Sequence, residues 1–196
     1  MPLTAELTVR ETAALSGVSK TTVEKALEAG ILRSATASPR FRGGATRYLP
    51  IRAVAYFRAL DAAKLTDLSP RHKRAIWAHL ARLEPVRLGT VEFAQATTID
   101  LRRLAADSLR AAERYRDARD RYIVSDPAIL GGTPVIAGTR LTVYAILGRM
   151  QDGETVDDLA ADYPEVPREA FAAAELYART HPLRGRPSGR PWRSAA

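Results

Sequence analysis

The feature that most constrains the fold of this chain is the spacing of glycine and proline between Ser125 and Arg140. Gly131 and Gly132 permit turns with positive φ, and Gly138-Thr139 predicts a second turn. Between these turns lies a short apolar run, which predicts one strand of a small hairpin. Apolar residues then recur at helical spacing, at Leu141, Val143, Ile146, Leu147 and Met150. We therefore expect a hairpin that leads directly into an amphipathic helix.

The same stretch carries a recognisable motif. From Tyr122 to about Pro182 the pattern SDP…GG-x-P-V-x-x-GTR resembles a domain of unknown function (family 433) found in a set of VapB-like antitoxins. The residues of the motif are Gly131, Gly132, Pro134, Gly138, Thr139 and Arg140. The resemblance implies three helices after the hairpin and a partner toxin of the PIN-like ribonuclease class. Taken singly, each glycine is equally well explained as part of a turn.

Charge is divided unevenly along the chain. Residues 1–122 carry 22 Lys and Arg against 13 Asp and Glu, residues 123–180 carry 4 against 9, and residues 181–196 carry 4 against none. A cationic block favours nucleic acid as a partner, because proteins bind nucleic acids largely through the phosphates. The acidic block does not, and the last segment predicts a cationic arm. A solvated basic surface is the alternative interpretation of the first block.

The amino-terminal block has the pattern of two short helices joined by a tight turn. Thr8 and Glu11 are spaced as a capping box, which predicts a helix start, and Gly17 predicts its end. Ser19 is the expected N-cap of a second helix from Lys20 to Ala29. That helix would bury Val23, Ala26 and Leu27. Its other face would present Lys20, Thr21, Thr22 and Lys25.

Residues 40–49 predict a basic hairpin with a Gly-Gly tip, and Pro50 opens a further helix through Leu60. The order of helix, turn, helix, basic wing and helix over residues 6–60 resembles the MerR-like winged helix. The resemblance implies that DNA is bound by Arg10, Ser19, Lys20, Thr21, Thr22, Lys25, Arg40, Arg42 and Arg47. The chain departs from small-molecule MerR regulators because it lacks a cysteine metal site and a long dimer helix directly after the wing.

A connector is expected over residues 61–121. It has a helix from Ser69-Pro70 through Leu83, a strand over Val86–Phe93 and a helix from about Ile99 to Arg121. The strand needs a partner, for which Tyr122–Val124 is the expected segment, completing a sheet with Val135-Ile136. The long helix carries an apolar stripe that we interpret first as core and second as a dimer interface. A homodimer would suit a palindromic operator.

The carboxy-terminal module is expected to continue with a helix capped by Thr155 and Asp158 and a third helix from Pro167. The third helix would bury Ala170, Phe171, Ala174 and Tyr177. Six acidic residues argue that this module binds protein rather than DNA: Asp157, Asp158, Asp162, Glu165, Glu169 and Glu175.

The arm over residues 183–196 is rich in Pro, Gly and Arg, which predicts disorder in the free chain. Arginine pairs bidentately with carboxylates, and the active site of a PIN-like ribonuclease gathers carboxylates around a metal, as the resemblance implies. The expected toxin-binding residues are Arg184, Arg186, Arg190, Trp192 and Arg193. A dispensable tail is the alternative.

Several classes of function are not supported by the residues present. The chain has no cysteine, which excludes a disulfide framework and a thiolate zinc site. No paired-carboxylate frame or phosphate loop is recognisable, and His72 and His79 stand too far apart on a helix to share a metal. We therefore expect no enzyme, no cofactor and no metal. No apolar run reaches bilayer length, so we expect a cytoplasmic protein with no membrane partner.

These patterns together predict a mainly α protein with small β-hairpins. Its parts are a winged helix-turn-helix domain (1–60), a connector with helices and a short sheet (61–121), a homeodomain-like three-helix module (122–182) and a basic arm (183–196). The expected function is that of an antitoxin that neutralises its toxin and represses its own operon at operator DNA. The alternatives are a stand-alone MerR-like regulator with a sensing carboxy-terminal module, and an adaptor that tethers DNA to another protein.

Overall fold

The computed structural model describes residues 6–37, 46–82 and 88–183. In these ranges the helices are α1 (Val9–Ser16), α2 (Lys20–Glu28), α3 (Arg52–Ala62), α4 (Pro70–Arg82), α5 (Leu101–Tyr122), α6 (Val143–Gln151), α7 (Val156–Asp162) and α8 (Arg168–Thr180). The strands are β1 (Leu7–Thr8), β2 (Ala35–Ala37), β3 (Thr46–Leu49), β4 (Thr90–Ala94), β5 (Thr97–Asp100), β6 (Ile123–Val124) and β7 (Val135–Ile136). The described chain is therefore mainly helical with small antiparallel sheets, as expected.

Local signals placed the ends of the first helices correctly. The Thr8 hydroxyl accepts from the Glu11 amide, and the Glu11 carboxylate accepts from the Thr8 amide at 2.7 Å, so the capping box is present. Gly17 ends α1 at φ +74°, a left-handed conformation that favours glycine. The Ser19 hydroxyl then accepts from the Thr22 amide and begins α2.

The amino-terminal strands form one sheet in the order β1-β3-β2. Leu7 lies opposite Leu49, and Thr36 lies opposite Arg47. The first strand of the predicted hairpin begins earlier than expected, at Ala35, whereas β3 lies within the predicted range. The predicted Gly-Gly tip lies outside the described residues. Strand β1 was not predicted, since two residues are too few for a recognisable alternation.

The connector strand has a different partner from the one predicted. Strand β4 pairs with β5, the segment that follows it directly, and not with Tyr122–Val124. The chain reverses at Gln95-Ala96, with Ala96 at φ +54°. Closing this short loop costs less chain entropy than bringing together segments separated by a long helix. Strand β6 does pair with β7, as expected, with Ile123 opposite Ile136.

Helix α5 is the centre of the packing. Its apolar stripe packs against α3 and α8, and Leu101, Leu109, Ala112 and Tyr115 are buried. The stripe therefore lies in the core of the chain, in agreement with its first interpretation. Burial of this apolar surface is the main favourable term in folding.

Helix α8 is buried on more than one side. The four positions predicted from its periodicity are buried, and Ala173 and Ala178 are buried as well. It packs against α6 and α7 of its own module and against α5 and α1. The carboxy-terminal module therefore shares one hydrophobic core with the amino-terminal elements.

Candidate nucleic-acid interface

Helix α2 presents a polar face beside the β2–β3 hairpin. Val23 and Ala26 turn into the core, whereas the opposite side is exposed. We define the α2 surface as the exposed side chains of Lys20, Thr21, Thr22 and Lys25 together with Arg47 of β3. Arg47 reaches this face because its guanidinium lies 3.9 Å from the carboxylate of Glu24 on α2.

The other predicted DNA contacts are distributed differently. Ser19 is exposed, but its hydroxyl caps α2 and lies 2.9 Å from the Thr22 hydroxyl, so it has a structural role. Arg10 is exposed on α1, outside the α2 surface. Arg40 and Arg42 lie outside the described residues.

One acidic side chain stands among the cations of the α2 surface. The Glu24 carboxylate is 2.8 Å from the Lys20 ammonium, one turn earlier on α2. The same oxygen faces Arg47. Glu24 therefore links the helix to the hairpin strand, and the sequence analysis did not identify it.

Helix α4 adds a second basic element beside α2. Arg74 donates to the carbonyl oxygen of Ala29 at the end of α2, at 3.1 Å. Arg71 and Arg82 are exposed, and α4 contains no Asp or Glu. The signal that could have identified this surface is the absence of acidic residues from thirteen consecutive positions.

A buried ion pair holds α1 in place behind the α2 surface. The Arg119 guanidinium on α5 donates to the Glu11 carboxylate at 2.9 Å, and the Tyr115 hydroxyl donates to the same oxygen at 2.6 Å. Burial opposes ionisation of Glu11, but the charges of Arg119 and His181 and the hydrogen bonds from Tyr115 and Thr8 together lower its pKa. Burial and the neighbouring Glu11 charge raise the pKa of Tyr115.

Further contacts extend this cluster to Glu6, to the start of α3 and to the end of α8. Arg116 donates to the Glu6 carboxylate at 2.6 Å, and the other oxygen of Glu6 accepts from the Ile51 amide. Next to the cluster, burial lowers the pKa of His181. Three parts of the chain distant in sequence are thus joined around α1.

The glycine motif folds as a compact turn rather than as a site of reactive groups. Gly131, Gly132 and Gly138 have φ of +63°, +79° and +77°, so the predicted positive φ is confirmed. The Ser125 hydroxyl donates to the Gly132 carbonyl, and the Thr139 hydroxyl donates to the Ile136 carbonyl. Pro134 is buried and Arg140 is exposed. The five predicted toxin-binding residues from Arg184 to Arg193 lie outside the described residues.

Most of the acidic residues of the carboxy-terminal module are held by partners within the module or beside it. Asp157 pairs with Arg168, Asp162 pairs with Arg149, and Glu175 pairs with Arg179. Asp158 caps α7 through Thr155. Glu169 accepts from the Tyr122 hydroxyl at 2.6 Å. The acidic face is therefore less available to a partner than the sequence alone suggested.

In residues 6–37, 46–82 and 88–183, no group of three or more His, Asp or Glu side chains is arranged to hold a metal ion. Among the same residues, no helix combines the length and apolar character needed to cross a membrane.

Comparison with known proteins finds a similarity in the carboxy-terminal module. Residues 123–178 match a family described as a protein of unknown function, DUF433. The uncharacterized protein y4eO of Sinorhizobium fredii is 40% identical over 78 residues, which are 39% of this chain and 35% of that protein. The chain thus spans about a third of this relative. The crystal structure of Rv2018 from Mycobacterium tuberculosis aligns with 87% of this chain and 97% of its own, at 18% identity and a TM-score of 0.33.

Proposed function

We propose that this chain is a DNA-binding antitoxin, which binds operator DNA through the α2 surface and a toxin protein through residues 122–196. The observation that carries the DNA-binding half is the placement of cations and hydroxyls on one exposed helix face beside a hairpin. The toxin-binding half is supported by the family match over residues 123–178, where the motif resembles that of VapB-like antitoxins.

The α2 surface suits the major groove of DNA. A helix fits this groove, and the amino-terminal residues of such a helix contact base edges. Lys20, Thr21 and Thr22 occupy the first turn of α2. The Thr21 hydroxyl offers a donor and an acceptor to bases, whereas the Thr22 hydroxyl already shares a hydrogen bond with Ser19. Lys25 and Arg47 would contact phosphates, as would Arg40 and Arg42, which lie outside the described residues.

Helix α4 extends the surface along the DNA backbone. Arg74 donates a hydrogen bond to Ala29 at the end of α2, and Arg71 and Arg82 are exposed on the same helix, so α4 would supply these two arginines to the backbone. Phosphate contacts of this kind position a protein on the duplex without reading its sequence. They add to affinity and to its dependence on salt.

The toxin-binding half rests on the arm more than on the acidic module. Because the acidic side chains are engaged internally, they offer few free charges to a partner. The arginines at 184, 186, 190 and 193, with Trp192, carry cationic and aromatic groups that suit a carboxylate-rich active site. We infer that the arm occupies that site in a PIN-like ribonuclease.

One observation favours a second candidate, a stand-alone transcription regulator. Among the described residues, the exposed large apolar side chains are Val124, Leu130 and Leu183, which do not amount to a broad apolar interface. A module with internally paired charges and little exposed apolar surface is compatible with a regulatory domain that packs against the DNA-binding elements.

The DNA-binding half is tested by titrating the protein into labelled duplex from upstream of its own gene. We expect Lys25→Ala to weaken binding and to reduce the salt dependence by about 0.9 in log–log slope, the value for one lost phosphate contact. Arg114→Ala is the matched control, since Arg114 is exposed on α5 outside the α2 surface. Equal affinities for the wild type and Lys25→Ala would contradict the assignment of the surface.

The toxin-binding half is tested by co-expressing the chain with the product of the adjacent gene. We expect the two proteins to co-purify and the product to lose ribonuclease activity in the complex. Removal of residues 184–196 should restore that activity. Co-purification of an active ribonuclease, or no binding at all, would leave the stand-alone regulator as the better proposal.

A further inference from the structure

We propose that Glu24 is a specificity-determining positioning residue of the α2 surface, which restrains Lys20 and Arg47 and disfavours binding to unrelated DNA. This inference rests on the proposed DNA-binding function and names the residue that sets its selectivity. The Glu24 carboxylate lies on a face whose other charged groups, at the start of α2 and on β3, are cations.

Stability of the helix does not account for the position of Glu24. In the pair Lys20–Glu24 the cation precedes the anion by four residues. This order stabilises a helix less than the reverse order. The pair is also near the surface, where ion pairs contribute little. A carboxylate facing DNA phosphates would in addition weaken binding by repulsion.

The geometry instead suits control of the two cations. The Glu24 side chain is 26% exposed, whereas Lys20 and Arg47 are 49% and 46% exposed. The less exposed carboxylate is thus the anchor, and the two longer side chains converge on a single oxygen at 2.8 and 3.9 Å. One of these cations is on the helix and the other is on the hairpin strand.

This arrangement has two consequences for binding. A restrained Lys20 and Arg47 lose less side-chain entropy on binding to a site whose acceptors match their positions. On unrelated DNA, the same cations are partly neutralised and less able to follow the phosphates. Specificity is a difference between two affinities, and Glu24 acts on both.

The test compares Glu24→Gln with Glu28→Gln. Glu28 lies one turn later on α2 and is exposed, and no ion pair joins it to Lys20 or Arg47 within the part of the chain that the structure describes. Both variants replace a Glu with a Gln, so they change the net charge equally. Duplexes selected by the wild-type protein from a randomised library serve as specific sites, and a scrambled duplex serves as the non-specific site.

We expect Glu24→Gln to lower the ratio of specific to non-specific affinity by about fivefold or more. This is the lower end of the discrimination that one good base contact provides. The salt slope on the scrambled duplex should steepen by about 0.9, because one cation is released to the phosphates. Glu28→Gln should leave the ratio and the slope unchanged. In the Lys20→Gln background, Glu24→Gln should have a smaller effect, since one of its partners is absent.

Several outcomes would overturn the inference. Equal effects of Glu24→Gln and Glu28→Gln would show that only net charge matters, and an unchanged affinity ratio would exclude a role in selectivity. In both cases the wild type still binds its selected site, so the DNA-binding proposal survives. If the wild type selects no sequence, the DNA-binding proposal fails and this inference fails with it. Far-UV circular dichroism melts of the variants identify any that have lost the fold.

Discussion

Removal of the Arg119 side chain should be among the most damaging single changes in this chain. Arg119 is 6% exposed and its partner Glu11 is 1% exposed, with 2.9 Å between the bonded atoms. Arg119 also donates to the Glu6 carbonyl at 3.1 Å and pairs with Asp120. In Arg119→Met, the Glu11 carboxylate would keep the Tyr115 hydroxyl and the Thr8 amide but would lose its counter-charge.

The magnitude follows from the burial of both charges. Removing one partner of a buried pair costs about 3–5 kcal/mol, because the other charge stays buried without compensation. For a chain of this size each kcal/mol lowers Tm by about 2–4 °C, so we expect a decrease of roughly 6–20 °C. The double variant Glu11→Gln/Arg119→Met should recover part of this loss, since no charge is then left buried.

Thermal melts followed by circular dichroism, together with urea unfolding, measure the effect. Arg114→Met is the matched control, because it makes the same substitution on an exposed position of α5 and should stay within about 0.5 kcal/mol. A loss of less than about 1 kcal/mol for Arg119→Met, a value typical of an exposed pair, would refute the reasoning.

Four further measurements test the Glu11 pair and three other positions in the fold. Because the folded pKa of Glu11 lies below its ordinary value of 4.5, its contribution to stability is present above that pH and is lost as the pH falls through the folded pKa; urea unfolding over this range should show the loss, and Glu11→Gln should lack it. Gly138→Ala should cost about 1–2 kcal/mol, since φ is +77° and no atom lies within 4 Å of the added Cβ, so only the backbone term remains. Gly148→Ala in α6, where a Cβ also meets nothing within 4 Å, should instead raise stability by about 0.5–1 kcal/mol in the same assay; a result of the same sign for both glycines would contradict the argument. Thr155→Ala should lower the free energy of unfolding by about 1 kcal/mol through loss of the α7 cap, and Thr155→Ser should restore it.

The helix ends could be predicted from the sequence because their signals are local. A capping hydroxyl and the backbone amide that donates to it are three residues apart, so Thr8, Ser19 and Thr155 identify helix starts without any knowledge of the rest of the chain. The left-handed turns at Gly17 and Gly138 are equally local. The polar face of α2 follows from helical periodicity alone.

The partners of these elements could not be predicted in the same way. The alternation of residues in β4 identifies its buried face, with Val91 and Phe93 inside. It does not determine which strand pairs with β4. The acidic residues of α7 and α8 looked like a face for a partner, and their pairing with Arg149 and Arg168 depends on how α6, α7 and α8 pack.

By itself, the sequence determined the helical class, the positions of the caps and turns, and the separation of basic from acidic blocks, since each depends on neighbours within a few residues. Only the tertiary structure decided that Glu11, expected from the sequence as a helix cap, is buried against Arg119, and that Glu24 lies between a helix cation and a strand cation. Both contacts join residues far apart in the chain or on different elements. Their energies depend on burial and distance, which exist only after the elements have packed.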